Sequence, residues 1–382
     1  MDPSASGPLT PPFEQGPIRP PSEAQSLLVR VIRNCTWNRC TFCPVYKGTR
    51  PSLRAVEDVL ADVDAMAAAA EVLRRDGIRP LQEGRLPREA YQVALFVRAG
   101  ESTVFLQDAD PCAVKPEKLA AVIRRVKERF PTVERVTTYG RAATLARRTP
   151  EQLALLAGAG LTRVHLGLES GADEVLMAVD KGCSSGDLIA AGENVVRAGL
   201  EVCFYLMPGL GGRAASAVHV AGSARVLRAV AAAAPAERPL VVRLRTAAVP
   251  PGTPLARREA AGEYVLPDDV EVAQELRDLI AGLDDARVEL RSDHTLNLMR
   301  ELEGSLPQDR ERLLAMLDEY LALPREEQAR YAIGVRLGVF RTLADLRDPG
   351  RSAALQRQFD GYEQPSADQL LEVASSLRSR YI

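Results

Sequence analysis

The stretch N-C-T-W-N-R-C-T-F-C-P-V-Y-K-G, residues 34–48, decides how the rest of the chain is read. It carries Cys35, Cys40 and Cys43, three of the six cysteines, directly after the apolar run Leu27 to Ile32. Three thiols this close together, on a loop leaving a predicted strand, point to a metal or cluster site. A tetrahedral zinc needs a fourth protein ligand, most often from a second C-x2-C or a His pair. The histidines His165, His219 and His294 are isolated from one another, and no such pair follows. Three cysteines suit an iron–sulfur cubane better, because one iron can then take a non-protein ligand.

The totals bound the remaining possibilities. A chain of 382 residues accommodates one large α/β domain and a smaller region beside it. Hydrophobic content of 46% and charged content of 26% are those of a globular protein. The net charge of −2 gives no bulk attraction to nucleic acid or to an anionic membrane. The start M-D-P-S-A-S-G-P lacks the pattern of a signal peptide, and the Ala-rich stretches are interrupted by charges. Six cysteines without a secretion signal fit reduced thiols in a cytoplasmic setting.

Outward from the cysteine stretch, residues 1–24 read as a disordered Pro-rich tail. Leu27 to Arg33 is the first predicted strand, and Ser52 is placed to cap a helix burying Val56, Val59, Val63 and Met66. A second helix runs over about Pro87 to Val97. Strand and helix signals then alternate: strand Thr103–Gln107, helix Pro116–Phe130, strand Val133–Tyr139, and a helix opened by the capping box Thr149-Pro-Glu-Gln152. Strands at Arg163–Leu168, Glu201–Met207 and Leu240–Thr246 follow, with helices between them. Six strands, each followed by a helix, predict parallel pairing and an α/β fold, a partial (β/α)6 barrel over residues 25–260. Residues 261–382 read as a mainly helical C-terminal region covering it, with one candidate strand at Arg287–Arg291. Loops at the carboxyl ends of such strands gather functional groups. The cysteine loop, Q-D-A-D (107–110), G-L-E-S-G (167–171), M-P-G-L-G-G (207–212) and P-P-G-T-P (250–254) all fall there.

With these motifs in this order, residues 26–256 resemble the radical S-adenosylmethionine (SAM) superfamily. The resemblance rests on Cys35, Cys40 and Cys43 with Phe42 before the last cysteine, on G-L-E-S-G, on K-G at 181–182 and on M-P-G-L-G-G. It is similar to the branch of elongator-type and coproporphyrinogen-dehydrogenase-type enzymes. It implies a [4Fe–4S] cluster on the three cysteines, SAM on its fourth iron, and an external electron donor such as a flavodoxin or ferredoxin. Two features depart from the usual pattern. The first gap is one residue longer than in C-x3-C-x2-C, and Gln107-Asp108-Ala109-Asp110 stands where a G-G-E or G-G-D turn would hold the SAM amino group. Asp108 and Asp110 inherit that role by position.

Individual residues extend the expectation. Glu169 offers a carboxylate to ribose hydroxyls, or else a charge at a helix start. Gly209, Gly211 and Gly212 let backbone approach the adenosine. Arg243 and Arg245, two apart on one strand, face the same side and with Arg141 suit carboxylates of SAM or of an acidic small substrate; structural ion pairing is the alternative. His165 shares the face of Gly167 and Glu169, as a cavity-lining or a core histidine. Asp293 and His294, with Asn297, form either a proton-donating or substrate-holding group or a capped helix start. Cys112 follows the Q-D-A-D turn as a second thiol near the chemistry. A radical SAM enzyme acting on a small or peptide-sized substrate is the leading reading. An aminocarboxypropyl transferase, an RNA-modifying enzyme, and a non-catalytic zinc or iron–sulfur protein are the alternatives. The lack of a basic segment disfavours RNA.

Overall fold

The computed structural model describes residues 7–360 and 365–379. Its main sheet is mostly parallel, with eight strands in chain order: β1 Leu27–Arg30, β2 Thr103–Gln107, β3 Arg135–Gly140, β4 Leu161–Glu169, β5 Glu201–Leu206, β6 Leu240–Leu244, β7 Val288–Arg291 and β8 Gly304–Leu306. The first six alternate with helices, which is the order of a partial (β/α)6 barrel, and the region after residue 260 is mainly helical. The α/β class read from the sequence is therefore the one observed. By internal contacts the chain divides into two compact units.

The first unit comprises Met1–Asn38, Gly48–Leu166 and Asn194–Val202. Here β1 pairs with β2, β2 with β3, and β3 with β4, all in parallel. These strands are buried on both faces, hence the unbroken apolar runs Leu27-Leu-Val and Val104-Phe-Leu. The helix Val56–Asp76 buries Val59, Val63, Met66, Ala70 and Leu73 along one stripe. Ser52 does not cap it. Ser52–Leu53 instead pairs antiparallel with Ile32–Arg33, and the helix begins after an uncapped Ala55. Arg54 explains the difference: its guanidinium is drawn inward to Asp62 (2.6 Å) and to the carbonyl of Arg30 (2.8 Å), so the chain stays extended up to residue 55. The predicted Thr149 capping box is present, and Gly160 ends its helix with φ +113°.

The stretch expected as a structureless tail is fixed from residue 7 onward. Glu14 holds Arg30 and Arg33, Gly16 donates to the Gln107 side chain (2.9 Å), and Glu23 is fully buried beside Ser26 and Arg135. Residues 1–6 lie outside the described residues. Proline-rich composition suppresses helix and strand but leaves the backbone free to lie along a sheet edge when carboxylates find buried arginines.

The second unit comprises Arg39–Lys47, Gly167–Glu193 and Cys203–Ile382. Within it β5 pairs with β6 and β6 with β7 in parallel, while β8 closes antiparallel on β7. β8 carries no strand signal in the sequence, since it is three residues long. Helices Asp269–Gly282, Arg310–Leu321, Arg325–Arg336, Pro349–Arg357 and Ala367–Arg378 complete the unit. No helix among the described residues is long and apolar enough to cross a membrane.

Candidate active site

In the first unit the Q-D-A-D turn leaves the end of β2. Asp108 is fully buried and accepts from Arg30 Nε (3.1 Å) and Nη2 (2.8 Å). It also receives the backbone N–H of Asn34 (3.4 Å), a residue held at φ +66° immediately before Cys35. Asp110, fully buried too, accepts from Thr36 Oγ1 (3.1 Å), Thr144 Oγ1 (2.7 Å) and the backbone N–H of Arg141 (3.1 Å). Burial raises the pKa of Asp110, and these donors oppose the rise. Asn34 and Thr36 flank Cys35, so both carboxylates, as they stand, brace the cysteine loop from either side. The Asn38 N–H approaches Cys35 Sγ at 3.4 Å. The Arg141 guanidinium lies over the Trp37 ring, 5.2 Å from its centroid.

Two further predicted residues of this unit are interior. Cys112 is buried, and burial pushes its thiol pKa up, so it is an inert thiol at neutral pH. His165 is fully buried beneath Phe105 and Tyr139, its Nε2 3.5 Å from Glu23 Oε1. Of its two readings, the geometry is that of a core histidine.

In the second unit the Cys40–Cys43 turn is held through its backbone. Thr41 N–H donates to Val179 O (2.9 Å), Thr41 O accepts from Leu255 N–H (3.0 Å), and Cys43 N–H reaches Cys40 O (3.3 Å). Phe42 packs against two apolar clusters, one with Val175, Val179, Met207, Leu210 and Ala247, the other with Val249, Leu255 and Tyr264. The motif loops after β4, β5 and β6 thus meet at the aromatic residue between two cysteines. Glu169 has φ +57° and pairs with Lys181 (2.8 Å). Gly167 leaves the room: a Cβ there would strike the Glu169 carboxylate and lie 2.6 Å from Lys181 Nζ. Burial works against the Lys181 ammonium, yet Glu169, Cys40 and Cys183 together raise its pKa above the ordinary value. Lys181 stood in a recognised motif without a role; its spacing of one short helix after Glu169 was the available signal.

The glycine turn after β5 is clasped by later residues. Gly209, at φ +86°, donates its N–H to Glu275 (2.6 Å) and accepts from the Tyr264 hydroxyl (2.9 Å). Burial raises the pKa of both partners. Beyond β6, Arg243 forms an ion pair with Asp293, while Arg245 follows the strand end. Asp293 caps no helix, and residues 292–297 form a turn stapled by Asn297, which corrects the helix-start reading. Asn297 accepts from Thr246 N–H (2.9 Å) and donates to Leu244 O (2.8 Å). His294 lies beside Arg245, and its pKa is pulled down to about 4 by burial first and then by the charges of Arg245 and Arg300, against the opposing pull of Asp293.

A family model described as the Radical SAM superfamily matches residues 29–219, half of the sequence. This chain belongs to the radical SAM superfamily. Radical SAM proteins are enzymes that generally use a [4Fe–4S] cluster and SAM, with electrons from an external donor. No curated protein matches the sequence. Among solved structures, Elp3 of the archaeon Methanocaldococcus infernus is similar at 15% identity and a TM-score of 0.43, covering 60% of this chain and 57% of its own. The cobalamin-dependent SAM radical enzyme OxsB gives 14% identity and a TM-score of 0.43, over 94% of this chain and 54% of its own. Coproporphyrinogen III oxidase (HemN) from Escherichia coli gives 15% and 0.35, over 91% and 88%. The chain thus spans just over half the length of the first two.

The donor set of this radical SAM chain fits a cluster. Cys35, Cys40 and Cys43 are only half-buried, whereas Cys112 and Cys203 are buried. Among the described residues no three His, Cys, Asp or Glu side chains converge on a common metal position. The three thiols sit on backbone braced at Asn34 and Thr36 in the first unit and at Thr41 in the second.

Proposed function

We propose that this chain binds a [4Fe–4S] cluster through Cys35, Cys40 and Cys43, cleaves SAM reductively, and starts radical chemistry on a small anionic substrate. The reading is carried by the Cys40–Cys43 turn, where Phe42 is packed among residues of three motif loops and Thr41 is bonded on both sides. When bound, the cluster supplies the electron that breaks a sulfonium C–S bond of SAM. The chain's own residues do the rest. Asp108 and Asp110 fix the loop around Cys35, so that thiol starts from a set position. Glu169, kept in place by the Lys181 ammonium, presents a carboxylate suited to ribose hydroxyls. The Glu275 and Tyr264 contacts fix the glycine turn, and Phe42 packs the turn between the cysteines against its apolar neighbours. The proposed division is a barrel over residues 25–260 with the later helices set over it.

The test is anaerobic reconstitution with iron and sulfide, reduction in the presence of SAM, and chromatography of the products. Formation of 5′-deoxyadenosine, abolished in Cys40→Ala together with the cluster's visible absorption, is the expected result. Methylthioadenosine instead would establish aminocarboxypropyl transfer. Zinc uptake with SAM left intact would sink the reading.

A further inference from the structure

One wall of the second unit holds hydrogen-bond donors that the protein itself does not use. β5, β6 and the turn after β7 bring Arg243, Arg245, Asp293 and His294 together, with Tyr205 opposite Arg243 in the β5–β6 register. Arg243 is satisfied in charge by Asp293, although its Nε is buried without a partner. Arg245 differs. Its backbone N–H is bonded to Leu206 O (2.9 Å), but among the described residues its guanidinium makes no ion pair, and its Nε is buried without an acceptor. A buried guanidinium nitrogen lacking an acceptor is expensive unless a ligand supplies one.

His294 completes the wall. Its Nδ1 accepts the Leu296 N–H (3.2 Å), so the neutral ring carries its proton on Nε2 and offers a donor there. The turn that presents it is rigid. Asn297 bonds Thr246 and Leu244, Ser292 Oγ donates to Met299 O (2.6 Å), and Arg336 donates to Leu296 O (2.7 Å). The charge balance selects the ligand. Asp293 cancels Arg243, and of the two remaining guanidiniums that act on His294, Arg300 is exposed to solvent while Arg245 has its Nε buried, so Arg245 and the His294 N–H are two donors that match the two oxygens of a carboxylate. A phosphate would bring further oxygens and a second charge toward the Asp293 carboxylate, which the two-donor arrangement does not serve.

We propose that Arg245 and the Nε2–H of His294 bind a carboxylate of the substrate, a step that rests on the radical SAM reading above for the word substrate but not for the site. The same chemistry could serve the carboxylate of SAM, so the test has two arms. In the first, the full-length chain with 15N-labelled histidine is titrated with acetate and then with inorganic phosphate at fixed ionic strength. A saturable shift of one histidine signal is expected, assigned by His294→Gln, lost in Arg245→Gln and partly kept in Arg245→Lys. Absence of the shift, its survival in Arg245→Gln, or tighter binding of phosphate than of acetate would each overturn the proposal. In the second arm, SAM affinity of the reconstituted protein is measured by equilibrium dialysis. Competition by acetate, with a tenfold or greater loss of SAM affinity in Arg245→Gln, would assign the carboxylate to SAM and overturn the substrate assignment. Acetate binding without such competition supports it. Failure of the radical SAM reading shows separately, as acetate binding in a chain that takes up no cluster.

Discussion

Two turns at the carboxyl ends of strands carry charged residues, and they use charge in opposite ways. The 107–110 turn after β2 buries two carboxylates and fills each with donors from Arg30, Asn34, Thr36, Thr144 and Arg141. The 292–297 turn after β7, with the end of β6, leaves the Arg245 guanidinium and one face of His294 without a partner among the described residues. Both sets look alike in a sequence, as polar residues on loops where function gathers. A charge whose partners are all supplied by the fold is a brace. A charge held rigidly without a partner is a receptor.

Substitutions can break or sharpen this contrast. The largest effect is expected for Asp108→Ala, which strands the buried end of Arg30 and the Asn34 N–H. Denaturant unfolding should show a loss of about 4 kcal/mol, and a loss below about 1 kcal/mol would deny the turn its bracing role. Next comes the pH dependence of His294. Its folded pKa of about 4 lies below the ordinary 6.5, so the fold refuses a proton that the unfolded chain accepts. Stability is full above pH 6.5 and falls as pH drops toward 4, by about 3 kcal/mol relative to His294→Gln. Parallel pH profiles for the two proteins would contradict the burial argument. Asn297→Ala comes third: it unbonds Thr246 N–H and Leu244 O and should cost about 2 kcal/mol, with loss of the His294 response to acetate. The smallest effect is expected for Arg245→Gln. With no side-chain partner among the described residues to lose, its unfolding midpoint should correspond to a change within about 0.5 kcal/mol, and a larger destabilisation would place Arg245 among the braces.

The strands were legible because buried parallel strands need runs such as Val104-Phe-Leu, and the Thr149 capping box was legible because its chemistry is local. What escaped is long-range. Nothing near Asp108 announces Arg30, 78 positions earlier, and only the β1–β2 pairing brings them together. The Pro-rich start looked structureless because its anchors, Glu14 and Glu23, find their arginines on strands that follow, Arg33 on the segment paired with Ser52–Leu53 and Arg135 on β3 more than a hundred positions later. Ser52 was a sound cap by type, overridden by the inward pull on Arg54. The cysteine loop, Phe42, and the Arg243–Arg245 pair were visible as types in a pattern. Which arginine was paired and which was open depended on a turn some fifty residues later.

The clasp on Gly209 has a consequence for how chains of this kind can diverge. Its two backbone groups are bonded by Tyr264 and Glu275, both lying after the last of the recognisable motif loops. The later helices are therefore not an interchangeable cap that recombination could replace wholesale. Any graft would have to return a hydroxyl and a carboxylate to the same carbonyl and the same amide. Novelty in this region should accumulate by drift around those two fixed points, with the glycine turn and its distant partners inherited as a unit.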